Sequence, residues 1–470
     1  MGSRPDIVLI TVDDMNWDAV GAYGCPVPGA TPNIDRLAAE GIRFEHAHVT
    51  IAVCQPSRSA IMTGRYPHRS GGEGLLRLRH CGILILPDLL RQAGYRVGIL
   101  GKVTHSTPQA DFEWDMTYDR EDLGHGRNPG IYRRHAETFI RDARDADTPF
   151  FLMLNAHDPH RPFYGNDKPE WYEEGDGPPA VAPSRTFDPD EIAVPGFLPD
   201  LPDVRREVAE YYNSVRRCDD TVGGVLEVLR DAGCEEETVV LFLSDNGMAF
   251  PFAKTNCYLH STRTPLIVRW PGVIPAGSHD TEHFVSGIDV LPTVLDAIQS
   301  TEPSGIDGAS VLPVCRGERQ AGREMVFTQF HQTAGKRNYP MRCVQNRRFG
   351  YIFNAWSDGE RLFRNESQDG RTMAAMREAA KRDDGVAARV DHFLYRTPEE
   401  LYDFANDPHA ETNLIDDPAY AAVRTSLQAA LEQWMEENDD PALAAFRNRG
   451  SREALDRFIT QTAHELGGEA

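Results

Sequence analysis

Four apolar runs, residues 6–12, 96–100, 150–155 and 238–243, recur along the first half of the chain, and each breaks off in polar residues. The breaks read Asp13-Asp14, Gly101-Lys102, Ala156-His157-Asp158 and Ser244-Asp245-Asn246-Gly247. Near-continuous apolar runs of this length predict strands of a parallel sheet covered on both faces. A fifth run, 264–270, ends in Pro271-Gly272. Between the runs, residues 33–40, 203–232 and 285–299 carry a helical period, the first closed by Gly41 and the second by Gly233. This alternation predicts an α/β fold with a mostly parallel central sheet flanked by helices. Ligands of such sheets bind beyond the carboxyl ends of the strands, so the four polar breaks are expected to meet in one cleft.

The pattern changes near residue 323. Residues 325–330, 341–345 and 349–353 read as short strands, the last two joined by a hairpin-like Asn346-Arg347-Arg348. Residues 360–389 read as charged and irregular, and 420–437 as a terminal helix. The expectation is a catalytic domain over 1–322 and a smaller C-terminal α+β domain over 323–470. The second carries an antiparallel sheet and contributes to the substrate pocket. Residues 167–202, rich in Pro, Gly and Asp, read as a long surface loop or lid.

Charge narrows the function. The chain has 49 Lys plus Arg against 72 Asp plus Glu, a net charge of −23, which argues against coating nucleic acid or an anionic membrane. No run reaches the roughly 18 apolar residues of a membrane span. Eight cysteines are scattered without a CxxC pair, so neither a zinc ribbon nor a disulfide framework is expected. The first apolar run leads straight into Asp13-Asp14, without the form of a signal peptide. A cytoplasmic chain is expected as written, or a periplasmic or secreted one if a leader was removed.

Asp13-Asp14 and Asp245-Asn246 place four oxygen-bearing side chains at two strand ends, a donor set for a hard divalent cation. Helix caps or solvated loop acids are the structural alternative. Cys54 stands before Pro56 at a predicted helix start, with Arg58 one turn later. That cationic setting by itself predicts an activated thiolate, and a buried structural cysteine is the alternative.

The stretch Cys54-Gln55-Pro56-Ser57-Arg58, followed by Thr63-Gly64-Arg65, resembles the first signature of the sulfatase family, within the alkaline-phosphatase-like superfamily. Gly94-Tyr95-Arg96-Val97-Gly98-Ile99-Leu100-Gly101-Lys102 through His105 resembles the second, with one residue more than usual between Lys102 and His105. The resemblance extends to Leu401-Tyr402-Asp403-Phe404, Asp407-Pro408 and Asn413-Leu414. Ala156-His157-Asp158-Pro159-His160-Arg161, Phe250-Pro251, Thr255-Asn256 and Tyr339-Pro340-Met341-Arg342 resemble the heparan N-sulfatase subgroup, the N-sulfoglucosamine sulfohydrolases.

The resemblance implies a formylglycine made from Cys54 by a formylglycine-generating enzyme, its aldehyde hydrate acting as nucleophile. It implies Ca²⁺, with Mg²⁺ or Mn²⁺ as alternatives, held by Asp13, Asp14, Cys54, Asp245 and Asn246. Arg58 is expected to stabilise the hydrate, and Lys102 and Lys254 to clamp sulfate oxygens. His157 is expected to be the general acid and His105 to take the hydrate's second proton. His160, His331 and Arg342 are expected to bind substrate. The implied activity is removal of the N-sulfate from a heparan- or heparin-type glucosamine at a non-reducing end, by a homodimer. An O-sulfatase, or a phosphodiesterase or phosphonate hydrolase, shares the same core. A non-catalytic sulfated-glycan binder has no need of the full set.

Overall fold

The computed structural model describes residues 4–75, 77–80, 82–109, 112–166 and 180–468. Residues 167–179 of the expected lid lie outside these. Eight strands form the larger sheet: β1 (Asp6–Val12), β2 (Ile42–His48), β3 (Arg96–Leu100), β4 (Met116–Tyr118), β5 (Phe150–Ala156), β6 (Thr238–Ser244), β7 (Leu266–Arg269) and β8 (Ser278–Ser286). Their spatial order is β4-β3-β5-β1-β6-β7-β2-β8. The pairings are parallel except those of β7, which runs antiparallel to both β6 and β2.

The central strands are apolar throughout because both of their faces are covered. Along β1, Val8, Ile10 and Val12 belong to one core with Phe139 and Ile140 of the helix Pro129–Asp145 and Val208 and Val215 of the helix Pro202–Asp231. Ile7 and Leu9 point the other way, into a core with Ile61, Leu90 and Leu291. Alternate side chains of a strand leave on opposite faces, so a sheet covered on both sides needs an unbroken apolar run.

Register brings the polar breaks level. Val12 pairs with Ala156 of β5 on one side and Ser244 of β6 on the other. Leu100 of β3 pairs with Leu154 of β5. The residues that follow these four adjacent strands therefore leave the sheet side by side at its carboxyl edge.

The second sheet has the order β12-β11-β10-β9, from β9 (Met325–Gln332), β10 (Asn338–Asn346), β11 (Phe349–Asn354) and β12 (Glu399–Asp403). It is antiparallel throughout. Val344, Tyr351 and Phe353 pack with Leu431, Trp434 and Phe446 in a separate core.

Three expectations about elements are corrected. Residues 285–299 are not one helix: Val285 and Ser286 end β8, and the α-helix is Val290–Ala297. Residues 360–389 are not irregular, because they hold the helix Arg371–Ala379 and the start of Asp384–Tyr395. The helix Ala421–Glu437 is followed by Leu443–Arg447 and Arg452–Leu466, so it is not terminal. Among the described residues, no helix is long and apolar enough to cross a membrane.

Candidate active site

Asp13 and Asp14 follow β1, and Asp245 and Asn246 follow β6; all four are fully buried. Asp14 sits at φ 67°, a left-handed conformation uncommon for a residue other than glycine. Its backbone N–H donates to Asp245 Oδ1 at 3.2 Å, and Asn246 Nδ2 donates to Asp14 Oδ1 at 2.6 Å. Oxygens of Asp13, Asp14 and Asp245 all lie within 4.8 Å of one another.

Two features test whether these residues fit a metal. Among the described residues, Asp13 Oδ1 and Asn246 Oδ1 are buried with no hydrogen-bond partner, an arrangement that ordinarily carries a cost. Burial also weighs on the clustered carboxylates. Burial pushes Asp14 up to about 7 and Asp245 up to about 8, while for Asp13 burial is more than offset by Lys102, His160, Arg58 and Lys254 together and its carboxyl is held low. An all-oxygen set with unpartnered acceptors fits a hard divalent cation.

Arg58 is locked beneath this cluster. Its Nε and Nη2 contact Asp245 Oδ2 at 2.8 and 2.7 Å, and Nη1 donates to Thr11 Oγ1 at 2.5 Å and Asn155 Oδ1 at 2.6 Å. Thr11 and Asn155 lie on β1 and β5, so sheet register fixes the guanidinium. Cys54 opens the helix Cys54–Thr63 and is buried. The expected thiolate is corrected here: burial first, and Asp13, Asp245 and Asp14 besides, push the Cys54 thiol well above its ordinary value.

Cations and imidazoles ring the cluster. Lys102, at φ 50° after β3, pairs with Asp13. Lys254 Nζ lies 2.7 Å from Asp14 Oδ1. His157 is buried, with Nδ1 3.3 Å from the Tyr132 hydroxyl. Gly126 packs against the His157 ring: at φ 73°, a Cβ there would stand 2.1 Å from Nδ1, so the ring's seat requires glycine. Burial and then Lys102 hold His157 well below the ordinary imidazole range, and hold His105 at about 3. His160 Nε2 is 3.9 Å from Asp14 Oδ2.

Two cavities meet at His105 and His160. One of about 360 Å³ is lined by Lys102, His157, Arg120 and His125. The other, about 730 Å³, reaches Cys54 and Lys254 at its base and the second sheet's half of the chain at its wall.

Two expected substrate residues do not belong here. His331 and Arg342 are buried and line neither cavity. His331 Nε2 pairs with Gln329 Oε1 at 2.9 Å. Arg342 is committed to Asp440, with Nε to Oδ2 at 2.5 Å and Nη2 to Oδ1 at 2.7 Å. The first contact stays within β9, and the second ties β10 to the segment between the helices Ala421–Glu437 and Leu443–Arg447. A residue that sequence reasoning missed takes a place at the site: Glu366 Oε1 lies 2.5 Å from Lys254 Nζ, and Glu366 groups with Asp14 and His160. Its only sequence signal is an acid in a loop, which is no signal.

Comparisons with known proteins agree with this geometry. Residues 5–300 match the family described as Sulfatase, and residues 250–390 match the family described as N-sulphoglucosamine sulphohydrolase, C-terminal. The chain is 33% identical over 472 residues to human N-sulphoglucosamine sulphohydrolase, covering 94% of this chain and 92% of that one. A structure solved with its substrate D-glucosamine-2-N,6-O-disulfate superposes with a TM-score of 0.70 at 20% identity, covering 93% of this chain and 99% of that one. The phosphonate monoester hydrolase of Agrobacterium radiobacter superposes with a TM-score of 0.66 at 21% identity, covering 93% and 96%. These likenesses show the alkaline-phosphatase-like fold, and the sequence matches show more: the chain belongs to the sulfatase family and is a sulfuric ester hydrolase.

Proposed function

We propose that the protein removes the N-sulfate from a heparan- or heparin-type glucosamine at a non-reducing end. The observation that carries this reading is the match of both halves of the chain to the N-sulphoglucosamine sulphohydrolase line, over 94% of its length. Formylglycine at position 54 would supply the nucleophile, and Ca²⁺ held by Asp13, Asp14, Asp245, Asn246 and residue 54 would neutralise charge on the sulfuryl oxygens.

The chain's own side chains do the rest. Lys102 and Lys254 flank the sulfuryl position, where negative charge grows in the transition state. Arg58 holds Asp245 in orientation and favours its ionised form. Glu366 and Asp14 fix Lys254 between them. Overall, R–NH–SO₃⁻ and water give R–NH₃⁺ and sulfate, so the leaving nitrogen needs protons. His157 is the donor: neutral at rest beside Lys102, it gains the proton it delivers when the anionic sulfuryl group enters and offsets that lysine's charge. His105 accepts a proton on the nucleophile's side. His160 lies at the junction of the two cavities, within reach of the sugar.

The test is product analysis on protein made together with a formylglycine-generating enzyme. N-sulfoglucosamine is expected to release sulfate and free amine in equal amounts. Sulfate release from 6-O-sulfated N-acetylglucosamine, with none from N-sulfoglucosamine, would overturn the N-sulfate assignment and leave an O-sulfatase.

A further inference from the structure

Lys254 sits in the loop after β6, and the backbone on both sides of it is held away from its relaxed form. Phe252, two positions before it, has φ 70°, and Thr255, the next residue, has φ 61°. A bulky aromatic and a β-branched residue rarely take the left-handed conformation, which persists only where the surroundings impose it. The ion pairs of Lys254 hold its ammonium group and leave this backbone free. Thr255 N donates to Ala52 O at 2.9 Å, and Ser261 Oγ donates to Phe252 O at 3.0 Å. Neither bond involves the Phe252 side chain.

That side chain is buried, and much of its cage comes from the helix Asp384–Tyr395 and the residue that ends it, in the other half of the chain. The Arg389 guanidinium lies 3.7 Å from the centroid of the Phe252 ring, and the Arg396 guanidinium 5.3 Å from it. His392 stacks on the ring at 10° with centroids 6.0 Å apart, and Phe393 meets it in an edge contact at 5.2 Å.

Both arginines are fixed in turn. Arg389 Nη1 donates to Ala410 O at 2.6 Å, and its Nη2 to His409 O at 2.7 Å. Arg396 is buried, with its guanidinium also 4.7 Å from the Tyr258 ring and 5.1 Å from those of Phe363 and Phe393. Among the described residues its Nε and Nη2 have no hydrogen-bond partner, so ring faces stand in for acceptors. A cation is attracted to an aromatic face, the more so where water is excluded. Two such cations hold one ring, and that ring belongs to the loop of Lys254.

We propose that Arg389 and Arg396 are positioning residues: by clamping Phe252 they impose the loop conformation that presents Lys254 to the sulfuryl group. Arg389, Arg396 and Phe252 line neither cavity of the site, so the effect runs through the backbone from 252 to 254. This deepens the proposed function and rests on the role given there to Lys254.

The experiment is a double-mutant cycle on sulfate release from N-sulfoglucosamine. Arg389→Met removes the charge over the ring and keeps an apolar stem. Its kcat is expected to fall about tenfold with KM changed by less than about twofold, the pattern of an interaction made only in the transition state. Phe252→Leu, which leaves both arginines in place, is expected to match it. Arg389→Lys keeps a cation on the ring and is expected to recover most of the loss. In a Lys254→Ala background, Arg389→Met is expected to change kcat by less than about twofold, whereas a residue that only stabilises the fold costs the same factor in both backgrounds. Equal losses in the two backgrounds, or a lysine variant as slow as the methionine one, overturn the proposal. Amide hydrogen exchange across residues 250–257 reads the loop without turnover. Exchange there is expected to be faster in Arg389→Met than in the wild type, and unchanged exchange overturns the clamp. If Lys254→Ala alone leaves sulfate release intact, or no N-sulfated sugar is turned over, the role of Lys254 or the proposed function fails instead, and the exchange measurement still decides the clamp.

Discussion

At the carboxyl ends of β1, β3, β5 and β6 the charged groups are buried and matched to partners, whereas on the wall formed by 362–369 and the helix Arg371–Ala379, Arg364 and Arg377 are exposed and have no ion-pair partner among the described residues. Asp245 meets Arg58, Asp13 meets Lys102, and Asp14 meets Lys254. The first arrangement suits chemistry. Its groups are preorganised by sheet register and shielded from water, so each interaction is strong. The second suits recognition, because an exposed arginine keeps its capacity for a ligand that arrives from solution. The two regions touch through Glu366, which the second half of the chain inserts against Lys254 of the first.

Breaking the buried region should have the largest effect. Asp245→Asn removes a candidate metal ligand and leaves Arg58 as a buried cation without its carboxylate. Sulfate release is expected to fall at least about 10³-fold. Losing one partner of a buried pair is also expected to cost about 3–5 kcal/mol of stability. Steady-state kinetics and thermal unfolding check both, and unfolding with and without Ca²⁺ separates them. The wild-type midpoint should rise with Ca²⁺ while the variant's stays fixed.

Glu366→Gln probes the contact between the regions and should have an intermediate effect. The carboxylate is half-buried, held at about 2 because Lys254 more than offsets the cost of burial. Its loss leaves Lys254 with Asp14 alone. A fall of about tenfold in kcat/KM is expected, with less than about 1 kcal/mol lost from stability. An unchanged kcat/KM would show that the second region does not reach the chemistry.

The smallest effect is expected at the opposite end of β1, where Asp6 accepts from Phe150 N at 3.0 Å. Burial pushes its carboxyl up to about 6, from 3.8. Between those values the folded protein holds a proton that the unfolded chain has lost. Stability therefore falls as pH rises from about 4 to about 6 and keeps that loss above it. Asp6→Asn is expected to flatten this slope, seen as a smaller difference between unfolding midpoints at pH 4.5 and pH 7. An identical slope in both proteins would remove Asp6 from the account.

Legibility followed burial. β1, β3, β5 and β6 could be read to within one residue, because strands covered on both faces carry unbroken apolar runs. β8 at the edge reads Ser-His-Asp-Thr-Glu-His-Phe-Val-Ser and is largely exposed over its first half, so its pattern concealed a strand and lent its last residues to a helix. Arg342 looked like a ligand residue because its motif resembles a subgroup. Asp440, 98 positions away, makes it a structural cation.

The sequence by itself determined the family, the central strands and the identity of the polar residues at their ends, since these depend on local pattern and short motifs. Only the tertiary structure decided what those residues are to one another. Cys54 lies four positions from Arg58, yet burial first, and then acids that follow β1 and β6 far along the chain, push its thiol up. Glu366 became part of the site, and His331 and Arg342 did not, because contact with the cleft is a property of packing across the two sheets. Charge acts through space, and no spacing along the chain encodes which acid and which base will be buried together.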